Sequence, residues 1–372
     1  MKKLKILFIG RFPPPVHGAS LVNESYFKSK IINQKFQTDK VNLSYSKNLE
    51  EIGKFNLRKF FSIPITKLKI LKKIIFFKPD LIYFEIAPVG FAFLRDSIYV
   101  LILKLFRKRI IFQIHARGIN KVVKNKLLKE YYKFVFKNTK MILLSKILYG
   151  EIKKIIPKEN VYILPNGIKD ELNEKKFDVI ISKRNKNKKP ILLFLSNMIE
   201  EKGALDVLKI CNELKKRRIN FECLFVGSWQ NKLFEKKWKY FLKKYELEKK
   251  CKYLGPKYGK EKEKILKKTS FLIFPTTYKN ESFPLVILEA FMFGIPVLSY
   301  NNGAIKEIIS KDYLGKVVKK EHWEQLTEEL EKRLKKLPTK GSMKKIRQHF
   351  KRHYTLEIAE KNLLRIFENE LK

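Results

Sequence analysis

Short, wholly apolar runs recur along the chain, each followed by a longer stretch of helical periodicity, and that alternation leaves few architectures open. In the first half the runs are Ile6 to Ile9, Leu81 to Phe84, Ile110 to Ile114, Met141 to Leu144 and Tyr162 to Leu164. In the second they are Ile191 to Leu195, Leu224 to Val226, Phe271 to Phe274 and Val297 to Tyr300. A strand without polar alternation is buried on both faces, and helices between such strands imply parallel sheets in doubly wound α/β layers. Ligands of these sheets bind beyond the carboxyl ends of the strands, where Gly10, His115, Asn197, Gly227 and Pro275 fall. With 372 residues, 45% of them hydrophobic, the chain can bury two cores. The lysine-rich stretch 169–189 reads as the linker between domains 1–168 and 190–348, and 349–372 reads as a closing helix.

The most informative segment is FPTTYKNESFPLVILEAFMFGIPVLSYNNGAIKEI, from Phe274 to Ile308, in which Glu281 and Glu289 bracket seven uncharged residues. Lys279, Asn280, Glu281 and Ser282 are turn and cap types, Pro284 suits a first helical turn, and Gly294 with Pro296 ends the helix before the next strand. Glu281 is therefore expected on a loop at the helix mouth and Glu289 within the helix, in an apolar run where a carboxylate loses water and needs a partner. A helix N-terminus after a strand end offers free N–H groups to a phosphate. A nucleotide diphosphate fits there, with Glu289 accepting from ribose hydroxyls and Glu281 from a sugar. A buried glutamate satisfied by a backbone or arginine partner is the alternative.

This segment resembles the donor-binding signature of glycosyltransferase family 4, a family of retaining enzymes with the GT-B fold, in its Glu, seven residues, Glu, Ala pattern followed by Gly-x-Pro-Val. Other blocks match in order: KILFIGRFPPPVHGAS, FQIHARG, LPNGI, FLSNMIEEKGALDVL, FVGSW and GPKYGKEKEKILKKTSFLIFP. The resemblance implies two Rossmann-like domains facing each other across a cleft, hinge closure, a donor held by the second domain, an acceptor by the first, and a C-terminal helix crossing back to the first. It implies that Lys202 neutralises the departing diphosphate, that His115 lies beside donor sugar and acceptor, and that Gly18 allows close approach of phosphate or acceptor. Glu281 would position the sugar and Glu289 the ribose, while the N–H groups of Phe283, Leu285 and Val286 would meet the diphosphate. Where the family carries an arginine, five residues before the lysine, this chain has Asn197, which donates a hydrogen bond but no charge. The plainer readings are a surface lysine, a satisfied strand-end histidine and a simple turn glycine.

The implied reaction is front-face, configuration-retaining transfer of a sugar from a nucleoside diphosphate sugar to a hydroxyl of a glycan or lipid-linked acceptor in cell-surface polysaccharide synthesis. No metal or other cofactor is implied, since protein donors and a lysine stand where a divalent ion would. His349 and His353 are four apart but lack the carboxylate of an HExxH helix, and are expected to be solvated. A non-catalytic GT-B shell that binds a membrane surface or nucleic acid, and a nucleotide-sugar epimerase, are the other readings.

Two further features bear on partners. Eighty-two basic against 37 acidic residues give a net charge of +45. The excess fits a lysine-biased genome, an anionic membrane surface or nucleic acid. Lys67 to Ile75 and Lys121 to Lys137 mix lysine with apolar residues at helical spacing, as interfacial helices do, which points to the inner face of the cell membrane. No zinc-finger or RNA-recognition signature accompanies the charge, so nucleic acid is not expected. Three cysteines, Cys211, Cys223 and Cys251, form no CxxC pair and suggest neither a disulfide framework nor a zinc site; a reducing cytoplasm is the expected compartment. The N-terminus reads as a first strand and not as a signal peptide.

Overall fold

The computed structural model describes residues 3–14, 18–43, 57–185 and 189–372. Pro15, Val16 and His17 of the N-terminal block lie outside the described residues. The chain divides into two compact units, one of residues 1–167 with 356–372 and one of 168–355.

The first unit holds β1 (Lys5–Gly10), β2 (Gln37–Asn42), β3 (Leu81–Glu85), β4 (Arg109–Gln113), β5 (Lys140–Leu143) and β6 (Val161–Ile163), in the order β2-β1-β3-β4-β5-β6. All of its pairings are parallel, with Ile6 opposite Leu81 and Leu81 opposite Arg109. Residues 6–9 and 81–85 are buried on both faces, as a sheet sandwiched by helices requires. The closing helix Leu356–Leu371 lays Phe367 edge-on against Phe8, Phe36 and Tyr83, and Tyr162 donates to Glu370 at 2.6 Å. That helix begins at Leu356 and not at His349, because the preceding helix Lys340–His353 runs on to a break at Tyr354.

The second unit holds β7 (Ile191–Leu195), β8 (Glu222–Val226), β9 (Cys251–Tyr253), β10 (Phe271–Phe274), β11 (Val297–Tyr300) and β12 (Gly315–Val318), in the order β12-β11-β10-β7-β8-β9, again all parallel. The stretch 169–189, expected as a linker, contains the helix Glu174–Asn185 and belongs to this unit. Phe177, Ile180 and Ile181 recur at helical spacing and are buried, and Arg184 donates to the carbonyls of Leu266 and Phe293 at 3.0 and 2.9 Å. Burial lowers the Arg184 pKa to about 9. Lysines on the solvent face hide this amphipathic pattern in composition, which is why the segment reads as a linker.

Candidate donor site

The loops that leave β7, β8 and β10 at their carboxyl ends are packed backbone against backbone. Gly227 stands at φ +153, where a Cβ would lie 1.8 Å from the Ser196 carbonyl oxygen. Gly203 stands at φ +92, where a Cβ would lie 2.2 Å from that of Pro275. Only glycine tolerates both the conformation and the approach. The Thr277 N–H donates to the Glu201 carbonyl at 2.7 Å, so the turn carrying Lys202 and the loop after β10 are one framework.

Within that framework Lys202 Nζ donates to Glu281 Oε2 at 2.6 Å, with side chains 14% and 10% exposed. The ammonium lies 4.5 Å from the Tyr278 ring centroid, a cation–π contact that holds it between ring and carboxylate. Thr276 Oγ1 lies 3.4 Å from the same carboxylate oxygen. Glu281 is on the loop before the helix Leu285–Met292, as its turn-type neighbours predict. Gly303 approaches so closely that a Cβ would meet the Glu281 carbonyl oxygen at 2.4 Å, which closes the loop from behind.

The helix itself starts with unused donors. Among the described residues the N–H groups of Phe283, Leu285 and Val286 have no backbone acceptor, and the buried Ser282 hydroxyl has no hydrogen-bond partner. Pro284 is the N-cap, one residue ahead of the first turn expected for it, and Gly294, at φ +65, follows the helix end as expected. Glu289 differs from expectation in degree: its side chain keeps 20% exposure and accepts from Lys262 Nζ at 2.6 Å. Helical periodicity sends Ile287, Leu288, Phe291 and Met292 into the core and turns Leu285, Val286 and Glu289 toward a wetter face. Lys262, on the helix Gly259–Lys268, was not foreseeable as the partner, because the pair is 27 residues apart. Asn197 follows β7, and its Cα would lie 3.1 Å from a Cβ on Gly227. The second unit thus gathers Asn197, Lys202, Glu281 and the N-terminus of the helix that carries Glu289.

His115 and Gly18 belong to the first unit. Gly18 opens the helix Gly18–Phe27. His115 stands two residues past β4, in electrostatic contact with Glu85 at the end of β3. Glu85 has no exposed side-chain surface; it pairs with Arg11 and accepts from the Arg11 N–H at 2.8 Å and Asn23 Nδ2 at 2.7 Å. Burial would push this carboxyl up, but the charges of Arg11 and His115 and the bonds from Arg11 hold it below the usual range. Sequence reading passed over Glu85, although it is the one charged residue of an otherwise apolar strand, LIYFE.

His349 is also placed otherwise than expected. Its ring packs among Phe291, Tyr313 and Tyr354, and its Nε2 is buried without a hydrogen-bond partner; burial and the nearby charges of His353 and Lys311 lower its pKa to about 4.

Comparison with known proteins gives the same architecture. Residues 176–350 match the family described as Glycosyl transferases group 1. WcaL of Escherichia coli (strain K12), named as a colanic acid biosynthesis glycosyltransferase, is 23% identical over 256 residues, covering 65% of this chain and 58% of that protein. The chain thus spans less than two thirds of the length of this curated relative. A glycosyltransferase from Rickettsia africae ESF-5 superposes with a TM-score of 0.76 at 18% identity, covering 100% of both chains. Anabaena Alr3699/HepE, crystallised with UDP-glucose, superposes at 0.70 and 13% identity, covering 98% of this chain and 100% of that one. With two six-stranded parallel sheets flanked by helices the chain has the GT-B fold, and residues 176–350, just under half of it, match the group 1 glycosyltransferase family.

Proposed function

We propose that the chain is a retaining glycosyltransferase that moves a sugar from a nucleoside diphosphate donor to a hydroxyl of a glycan or lipid-linked acceptor. The observation that carries the reading is the Lys202–Glu281 pair at the carboxyl edge of the second sheet, beside unused helix N–H groups. A diphosphate arriving there takes Lys202, the Asn197 side chain and the N–H groups of Phe283, Leu285 and Val286 as donors. The released Glu281 carboxylate then accepts from sugar hydroxyls, and Glu289 from the ribose. Charge that develops on the leaving phosphate meets preorganised donors, and the same phosphate assists attack from its own face. Lys202 and the helix N-terminus supply the positive charge, so no divalent cation is assigned a role.

A ligand panel tests this reading. Nucleoside diphosphate sugars are screened by thermal shift, followed by product analysis; a donor at one hundred times its Kd should add about 2.7 kcal/mol to stability. Glu289→Ala should weaken the donor that binds about tenfold, since Lys262 remains 28% exposed and tolerates the loss of its partner. Glu281→Ala should instead lower turnover, about a hundredfold. A panel in which every member leaves the melting temperature unchanged, with both variants folded, removes the assignment.

Membrane attachment is part of the proposal. On the helix Gly90–Leu105, Phe91, Leu94, Ile98, Leu101 and Leu105 form one exposed stripe. The helix Lys126–Phe136 exposes Leu127, Leu128 and Phe134 between lysines, and Lys104 Nζ bonds the Phe134 carbonyl at 2.8 Å. Among the described residues no helix is long and apolar enough to cross a membrane. An apolar stripe beside lysines suits the interface of an anionic leaflet on the cytoplasmic side. Flotation should recover the protein with vesicles containing anionic lipid and lose it at high salt; equal partition onto neutral vesicles contradicts this attachment.

A further inference from the structure

The chain has three cysteines, separated by 12 and 28 residues, and the fold brings all three to one point. Cys223 on β8 and Cys251 on β9 are register partners, so their side chains leave the same face of the sheet. Cys211 comes down on that face from the helix Ala204–Lys216, whose Val207, Leu208 and Leu214 are buried with it. The three sulfur atoms lie within 4.8 Å of one another, and all three residues are buried. Three sulfurs in a plane around an ion at about 2.3 Å stand about 4 Å apart, so the cluster needs only a small contraction to become a ligand set.

We propose that Cys211, Cys223 and Cys251 form an all-thiolate site for one soft, thiophilic cation of the monovalent copper class, bound three-coordinate. Thiolates select such ions, whereas structural zinc completes a tetrahedron. Among the described residues no fourth cysteine, histidine or carboxylate joins the three, and they belong to one buried hydrophobic core with Leu208, Phe221 and Leu214. Binding forms three metal–sulfur bonds and releases the thiol protons to solvent; no electrons are transferred. β9 is the outermost strand of its sheet, and Cys251 on it is the most exposed of the three, at 3%. Once seated, the ion ties that edge strand to the helix above it.

The test uses the full chain, reduced and kept under anaerobic conditions. It is titrated in parallel with copper(I), presented on a competing soluble chelator, and with zinc(II). The expected result is one copper per chain after gel filtration, seen by native mass spectrometry, with a thiolate-to-metal absorption band in the ultraviolet and a melting temperature several degrees higher. Zinc should be lost on the column. Cys251→Ala and the triple Cys→Ala variant should each lose the copper and the absorption band. Failure of the unaltered protein to retain copper, retention of zinc in its place, or one copper still held by the triple variant each overturns the proposal. The first two outcomes are read on the unaltered protein and do not depend on a variant folding. In that case the three thiols pack as small apolar groups in the core.

Discussion

Lys202→Ala is expected to lower the transfer rate by about a hundred- to a thousandfold, the range found when one preorganised donor to a developing negative charge is removed. The same change should also cost stability. It leaves Glu281, 8% exposed, with Thr276 Oγ1 at 3.4 Å as its remaining side-chain contact among those described. Breaking a buried pair from one side costs about 3 kcal/mol, because the surviving charge is left unpaired. The two effects can be separated. Lys202→Met combined with Glu281→Gln replaces both charges with groups of similar volume and should melt close to the unaltered protein, yet remain as slow as Lys202→Ala. Lys202→Arg keeps a charge near the carboxylate and should recover stability before it recovers rate, since the guanidinium cannot occupy the ammonium's place over the Tyr278 ring in the same way. Initial rates with the donor found by the ligand panel, set beside calorimetric melts, decide the matter. A single variant within threefold of the unaltered rate would take Lys202 out of the chemistry and leave it a structural partner of Glu281.

How much of this was readable in the chain follows from where each residue sits in its sheet. The nine strands anticipated from sequence are all present: eight lie inside their sheets, and the ninth, β6, is an outermost strand apolar enough to be seen. Of the eight, Leu224 to Val226 is the core of β8, whose first residue is polar. The three strands not anticipated, β2, β9 and β12, are all outermost strands. An edge strand is covered by neighbours on fewer sides, so it carries residues such as Gln37, Thr38, Asp39 and Lys40 in β2, and the apolar signal fades. The site divides in the same way. Turn types and helix stops around Glu281 and Glu289 are local, and they placed the loop and the helix. The partners are not local: Lys202 meets Glu281 across 79 residues, and Lys262 meets Glu289 across 27. The cysteines are a sharper case. Their spacing carries no motif, and only the parallel register of β8 and β9 with the helix above them makes a cluster of them.

Arg347→Ala should be the most destabilising single substitution among those considered, by about 4 kcal/mol, which in a unit of this size lowers the melting temperature by roughly 10 °C. The residue is 1% exposed. Its guanidinium donates to both carboxylate oxygens of Asp170 at 3.2 and 3.0 Å, to Glu174 at 3.2 Å, and to the carbonyls of Leu172 and Met292 at 2.6 and 3.0 Å, and it lies 5.0 Å from the Phe177 ring centroid. It therefore fastens three pieces of the second unit: its own helix, the segment 170–177, and the carboxyl end of the helix that carries Glu289. Alanine leaves buried carbonyls and a carboxylate without donors, and Arg347→Lys should recover little, because one ammonium cannot span a fork that reaches five acceptors. The neighbouring Lys351, which donates to Glu174 at 2.9 Å with 46% and 61% exposure on the two side chains, supplies the control. Lys351→Ala should shift the melt by less than about 2 °C, the effect of an ordinary surface pair. Because Arg347 holds the Met292 carbonyl, its loss should loosen the donor helix as well, and the surviving folded fraction should bind the donor more weakly than Lys351→Ala does. Equal melts for the two variants would show that the buried guanidinium is not what holds these three segments together.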